Sequence, residues 1–96
     1  MLNQIVIVGR LVDKPTEEGL TLAIPRSYKN SEGVYETDFI KVRMFEKIAT
    51  NVCEYCKKGD ILGVKGRLQN DDHNNVEVVA EKVTFLSSNH NEDQNA

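Results

Sequence analysis

Tyr35-Glu36-Thr37-Asp38-Phe39-Ile40-Lys41-Val42-Arg43-Met44-Phe45 runs straight into Glu46-Lys47-Ile48-Ala49-Thr50-Asn51-Val52-Cys53-Glu54-Tyr55-Cys56-Lys57-Lys58-Gly59, and the hydrophobic period changes at the join. In the first half side chains alternate, as in a strand whose successive residues face opposite ways. In the second half Ile48, Val52 and Cys56 recur every four residues, with Ala49, Cys53 and Tyr55 beside them. That spacing predicts one amphipathic helix over residues 46–58. Lys57 and Lys58 in its last turn suit the helix dipole, and Gly59 suits its cap.

Working outward, residues 5–12 form a β-branched apolar run, too short for a typical helix, and read as a strand buried on both faces. Residues 20–24 make a second short strand with Leu20, Leu22 and Ile24 on one side, and Pro25 turns its end into an edge or a bulge. Lys29-Asn30-Ser31-Glu32-Gly33 is a hairpin turn, followed by the third strand over residues 34–45. Residues 60–68 and 76–86 supply strands four and five around the polar loop 70–75, with a bulge expected near Val78-Val79-Ala80. Gly9, Gly63 and Gly66 lie inside strands, where glycine marks a bend or a close backbone approach. Three strands, a helix and two strands cannot hide their edges in a flat sheet of this size. A small, partly open five-stranded barrel with the helix between strands three and four can, and this is the element order of the OB-fold.

Length and composition allow one domain. The chain has 96 residues, 40% of them hydrophobic and 28% charged. The fold is expected over 1–87. The segment 88–96, acidic and almost without apolar residues, is expected to be a disordered tail. No apolar run approaches the roughly 20 residues that span a bilayer, and the first residues show no secretory pattern. A cytoplasmic protein with reduced thiols is therefore expected. Twelve Lys and Arg against fifteen Asp and Glu give a net charge of −3, which argues against a uniformly basic nucleic-acid binder. What counts is whether one face gathers the positive charge.

Strand three does gather it. Ile40, Val42 and Met44 make its core face, while Tyr35, Thr37, Phe39, Lys41, Arg43 and Phe45 make the other. A hydrophobic core cannot take Lys41 and Arg43 unpaired, so that face is expected in solvent, with its aromatic rings. Single-stranded nucleic acid gives exposed rings a purpose: bases stack on them while neighbouring phosphates meet cations. Cover by another subunit or by loops is the competing account. Lys65 and Arg67 share a face of strand four, opposite Leu62, Val64 and Leu68. Arg26, Tyr28 and Lys29 lie where strand two enters its hairpin.

Nothing catalytic emerges. Cys53-Glu54-Tyr55-Cys56 has the spacing of a metal or redox motif, but zinc needs two further ligands and only His73 and His90 remain. A redox pair belongs at a helix N-terminus, and this one is expected at the other end. Packed thiols, no cofactor, no metal and no enzymatic activity are the expectation.

The chain resembles the bacterial and phage single-stranded DNA-binding protein family. The resemblance is carried by Asn3-Gln4-Ile5-Val6-Ile7-Val8-Gly9-Arg10-Leu11, Thr37-Asp38-Phe39-Ile40-Lys41-Val42, Glu54-Tyr55-Cys56-Lys57-Lys58-Gly59-Asp60, Val64-Lys65-Gly66-Arg67-Leu68 and Glu77-Val78-Val79-Ala80-Glu81, in that order. It implies an OB-fold homo-oligomer, a tetramer or otherwise a dimer, that wraps single-stranded DNA in replication, repair or recombination, associated with the nucleoid. It implies base stacking on Tyr28, Phe39 and Phe45, and phosphate contact at or near Arg10, Lys41, Lys47, Lys65 and Arg67. The strand four–five hairpin lacks the family's further stacking aromatic; His73 stands there among acids. The family's acidic–hydrophobic tail tip has no counterpart in Asn91-Glu92-Asp93-Gln94-Asn95-Ala96, so recruitment of replication proteins through it is not implied. Such a short form with a truncated tail fits a phage or mobile element. An OB-fold adaptor for RNA or for a replication protein is the alternative.

Overall fold

The computed structural model describes residues 1–88. The expected tail therefore lies outside the described residues from position 89 onward. Five strands and one helix follow in the order β1 (Ile5–Leu11), β2 (Gly19–Lys29), β3 (Tyr35–Arg43), α1 (Glu46–Tyr55), β4 (Ile61–Asn70) and β5 (Val76–Ser87). The sheet closes as β1-β2-β3-β5-β4. The barrel is thus closed where a partly open one was expected, but the seam is thin. β3 and β5 run parallel and meet at two residue pairs, Val42↔Val78 and Arg43↔Val79.

The core is aliphatic. Leu11, Leu20, Leu22, Val42, Met44, Leu62, Val64 and Ala80 from the strands enclose it, with Ala49 and Val52 from α1. The period-two reading of β3 holds here: Val42 and Met44 are buried and Ile40 packs against the cluster. Leu68 does not follow the reading of β4. It is exposed, because β4 continues past the barrel as an arm and Gly66 is its last fully buried residue.

Strand two is much longer than residues 20–24. It runs through Pro25 because the irregularity comes after it: Pro25 still faces Thr37, while Lys29 faces Tyr35, so β2 spends more residues than β3 over this stretch. The β2–β3 turn is held by Asn30, whose Oδ1 accepts from the backbone N–H groups of Glu32 and Val34, and Gly33 takes φ +80. β5 is irregular twice: at Glu81, between the pairs Gly66↔Ala80 and Lys65↔Lys82, and at Leu86, between Leu62↔Phe85 and Ile61↔Ser87. At Gly66 a Cβ would collide with the Val79 carbonyl oxygen, so close backbone approach explains that glycine.

The helix stops at Tyr55, three residues before the expected end. Asp60 is the cause. Its buried carboxylate accepts from the Lys57 backbone N–H at 2.9 Å, and its own N–H donates to the Lys57 carbonyl. The Leu11 N–H then donates to the Asp60 carbonyl, and the Gly59 N–H to the Leu11 carbonyl. Residues 57–60 are thereby a turn clamped onto β1, and Lys57 and Lys58 are not in the last helical turn. Gly59, at φ +96, serves this turn and not the helix cap.

Candidate nucleic-acid interface

The outward face of the β2–β3 pair is built by register. Phe39 lies opposite Ala23, Lys41 opposite Thr21 and Arg43 opposite Gly19. Partners across a ladder share a face, so one aromatic and two cations on β3 stand beside three small residues on β2. At Gly19 a side chain would strike the Val42 carbonyl oxygen. The result is a low floor from which the rings rise. Phe39 is 65% exposed and Phe45 49%.

Phe39, Lys41, Arg43 and Phe45 line one groove of about 1110 Å³. Its walls come from the 13–19 loop, the first residue of α1, and the β4–β5 hairpin. These walls are largely acidic: Asp13, Glu17, Glu18, Glu46, Asp71 and Glu77 face Lys14, Lys41 and Arg43. The acidic rim was not foreseen, because it assembles from three segments far apart in sequence. Arg43 is the most constrained of the cations. Its Nη1 lies 3.3 Å from Glu77 Oε2, and its guanidinium carbon is 5.4 Å from the centre of the Phe45 ring. Lys41 makes no ion pair among the described residues.

The other predicted site residues are scattered. Tyr28 is exposed near the end of β2, and Lys29 lies over the exposed Tyr35 ring at 5.7 Å. Tyr35 belongs with these as a candidate stacking ring that alternation placed on the right face without singling it out. Arg26 points to the other side of the hairpin. Its Nε and Nη2 donate to both oxygens of Asp38 at 3.0 and 2.9 Å, and Nη1 to Glu36 at 2.8 Å. The hydrogen bonds and charge of Asp38 push the Arg26 guanidinium still higher, and the Arg26 hydrogen bond holds the Asp38 carboxyl below its ordinary range. Lys47 is on the first turn of α1, beside Thr50 and Asn51 and outside the main groove. Arg10 donates from Nη1 to the Gly59 carbonyl at 3.2 Å. Lys65 and Arg67 share the outward face of β4; Lys65 adjoins β1 (Val6↔Lys65), away from the groove, while Arg67 pairs with Glu81 at 3.3 Å and donates to Gln69, whose amide in turn donates to Glu77 in the groove wall.

The β4–β5 tip is closed by its own acid. Asp71 Oδ1 accepts from the backbone N–H groups of His73 and Asn75, which hold its carboxyl below the usual range. Among the described residues no cluster of His, Cys, Asp and Glu could hold a metal ion. Cys53 Sγ donates to the Pro15 carbonyl at 3.5 Å, and burial, then the Asp60 charge, pushes the Cys56 thiol up. No helix among the described residues is long and apolar enough to cross a membrane.

Comparison with known proteins agrees with this arrangement. The model of the single-strand binding protein family matches residues 2–91. "Single-stranded DNA-binding protein 2" of Staphylococcus aureus (strain COL) is 42% identical over 111 residues, covering 98% of this chain and 80% of that protein. "Single-stranded DNA-binding protein B" of Bacillus subtilis (strain 168) is 37% identical over 103 residues, covering 90% of this chain and 91% of that one. Among solved structures, a deletion mutant of the single-stranded DNA binding protein from Thermus aquaticus superposes with a TM-score of 0.71 at 23% identity. That match covers 93% of this chain, which spans 52% of the solved one, and it shows the shared OB-fold. With a barrel of the expected order, a family match along nearly its whole length and two relatives above 35% identity, the chain belongs to the single-strand binding protein family.

Proposed function

We propose that this protein binds and protects single-stranded DNA without sequence preference, through bases stacked on the β3 face, and does so as a binding protein and not as an enzyme. One observation carries the reading: Phe39 and Phe45 stand exposed in a single groove with Lys41 and Arg43 between them. Each base has a π-face whatever its identity, so stacking at roughly 1–3 kcal/mol per base is sequence-tolerant. Replication, recombination and repair are the settings in which such strands are exposed, and a nucleoid-associated place in the cytoplasm follows from them. The relatives' names support DNA as the ligand.

Assembly into a homo-oligomer, a tetramer or otherwise a dimer, is supported by a second face. β1 meets β2 only at Arg10↔Ala23 and Leu11↔Leu22, leaving one edge of its first half without a strand partner among the described residues. Val6 and Val8 are 67% and 50% exposed there. An exposed apolar strand with a free edge is a template for a second copy.

Fluorescence anisotropy with dT, rU and duplex oligonucleotides at two salt concentrations tests the ligand. Binding of dT that weakens as salt rises is expected, with duplex bound far less well. Equal affinity for duplex, or binding indifferent to salt, would overturn the reading.

A further inference from the structure

Among the described residues, Arg43 is the groove cation whose charge is already answered by an ion pair. Glu77 reaches it across the thin β3–β5 seam, with Oε2 at 3.3 Å and Oε1 at 3.5 Å from Nη1. Glu77 is itself anchored: Gln69 Nε2 donates to the same Oε2 at 2.9 Å, and the Glu77 side chain is 20% exposed. The carboxylate is thus held beside the guanidinium and does not drift in solvent. Arg43 in turn lies over the Phe45 ring, so the charge pair stands where the phosphate next to a base stacked on Phe45 would come. Lys41, two residues along the same face, has no such partner among the described residues.

We propose that Glu77 is an affinity-setting residue of the DNA groove, acting through Arg43: its carboxylate occupies the seat of a backbone phosphate, and the strand must displace it. This rests on the reading of the β3 face as the DNA-contact surface. A phosphate arriving at Arg43 meets a like charge on the same nitrogen, so Arg43 contributes less attraction than a lone arginine. When the strand leaves, Glu77 restores neutrality. The groove then holds single strands firmly by its rings and only moderately by its charges, which favours release to the next user of the strand.

Glu77→Gln tests this with little change of shape, since the amide oxygen can still accept from Gln69 and Arg43. An exposed ion pair of this kind is worth up to about 1 kcal/mol, so dT affinity should rise roughly two- to five-fold. The slope of log affinity against log salt should steepen by up to about 0.7, one more phosphate neutralised. Neither change should appear when Arg43→Gln is already present, whereas a general effect of lost negative charge would persist. Unchanged or weaker dT binding by Glu77→Gln, or a gain that survives in the Arg43→Gln background, overturns the proposal. Phe39→Ala measured alongside separates the two levels. If Phe39→Ala weakens binding and Glu77→Gln does nothing, the face is right and the role of Glu77 wrong; if Phe39→Ala also does nothing, the face itself is wrong. Melting curves of all variants confirm that each is folded.

Discussion

Two outward sheet faces of this barrel expose apolar side chains, and they differ in what lies between those side chains. Along β3 and just past its end the exposed groups are rings, Phe39 and Phe45, with Lys41 and Arg43 at the intervening outward positions and small residues on the neighbouring strand. On β1 and β5 the exposed groups that gather about Gly63 are aliphatic, Val8 and Leu86, with Val6 farther along β1; the ring of Phe85, next to Leu86, is half-exposed as well. There Val8 and Leu86 converge over Gly63, where an added Cβ would sit 3.9 and 3.5 Å from them. Lys65 pairs with Val6 and with Lys82, so its charge borders the aliphatic cluster and does not divide it. An aliphatic surface can exclude water against another aliphatic surface but offers a base no π-face, whereas rings alternating with cations offer both stacking and counter-charge. Exposure alone therefore names no partner; the residues interleaved with the exposed ones do.

The largest expected effect breaks the aliphatic side of this comparison. If the β1 face is the proposed subunit contact, Val8→Asp would place an uncompensated charge inside it, at a cost of about 3 kcal/mol or more. Light scattering at micromolar concentration should then show the oligomer dissociating, while each protomer keeps its groove. An unchanged assembly, or wild-type protein that is already monomeric, would remove the β1 face from the interface.

Next comes the aromatic side. Phe39→Ala should cost about 1–3 kcal/mol of single-strand affinity, a loss of roughly five-fold to more than 100-fold. A buried phenylalanine cut to alanine would instead cost roughly 3–5 kcal/mol of stability. With Phe39 65% exposed, the melting temperature should barely move. Phe45→Ala should follow the same rule with a larger structural component, because its ring packs under Arg43. A melting curve that collapses for Phe39→Ala would show that the ring is part of a core or subunit interface.

A smaller effect concerns charge. Lys41→Gln should flatten the salt dependence of dT binding by about 0.7, the contribution of one phosphate on a single strand. Lys65→Gln is the informative partner, since Lys65 stands beside Val6 and not in the groove. If the strand stays in the groove, only the first variant changes the slope. Equal changes would mean that DNA continues around the barrel onto β4.

What the sequence made legible follows the same division. Alternation along residues 34–45 was enough to separate Ile40, Val42 and Met44 from Phe39, Lys41, Arg43 and Phe45, because a strand has only two faces. Which faces adjoin is a property of barrel closure, so neither the separation of Lys65 from the groove nor the link from Arg67 through Gln69 to Glu77 could be read from β4 alone. Ion pairs were equally hidden. Arg26 reaches Glu36 and Asp38, Arg43 reaches Glu77, and Arg67 reaches Glu81, each across a strand pair. Seeing them requires the register, and two of the ladders involved are shifted by bulges. The helix end was missed because a side chain decides it: local spacing favours helix to residue 58, and the Asp60 carboxylate takes the Lys57 N–H instead.

The smallest effect sharpens the comparison within one arm, where Arg26 and Phe39 lie on opposite sides of the β2–β3 hairpin. Arg26 was expected among the DNA contacts, yet its guanidinium is engaged by Asp38 and Glu36. Arg26→Gln should therefore change dT affinity by less than about two-fold, within the range of an ordinary surface change. Its signature should be in acid stability. Asp38 is held below its ordinary value in the folded protein by the Arg26 hydrogen bond. A carboxyl depressed on folding adds stability that is fully present above its unfolded value, about 3.9, and is lost as pH falls through the lower folded value. The wild-type advantage over Arg26→Gln in melting temperature should thus be greatest at neutral pH and shrink below about pH 4. A gap that stays constant through acid would mean that Arg26 acts by packing alone. A marked loss of dT binding would mean that the strand crosses the edge of the hairpin and takes Arg26 from its carboxylates.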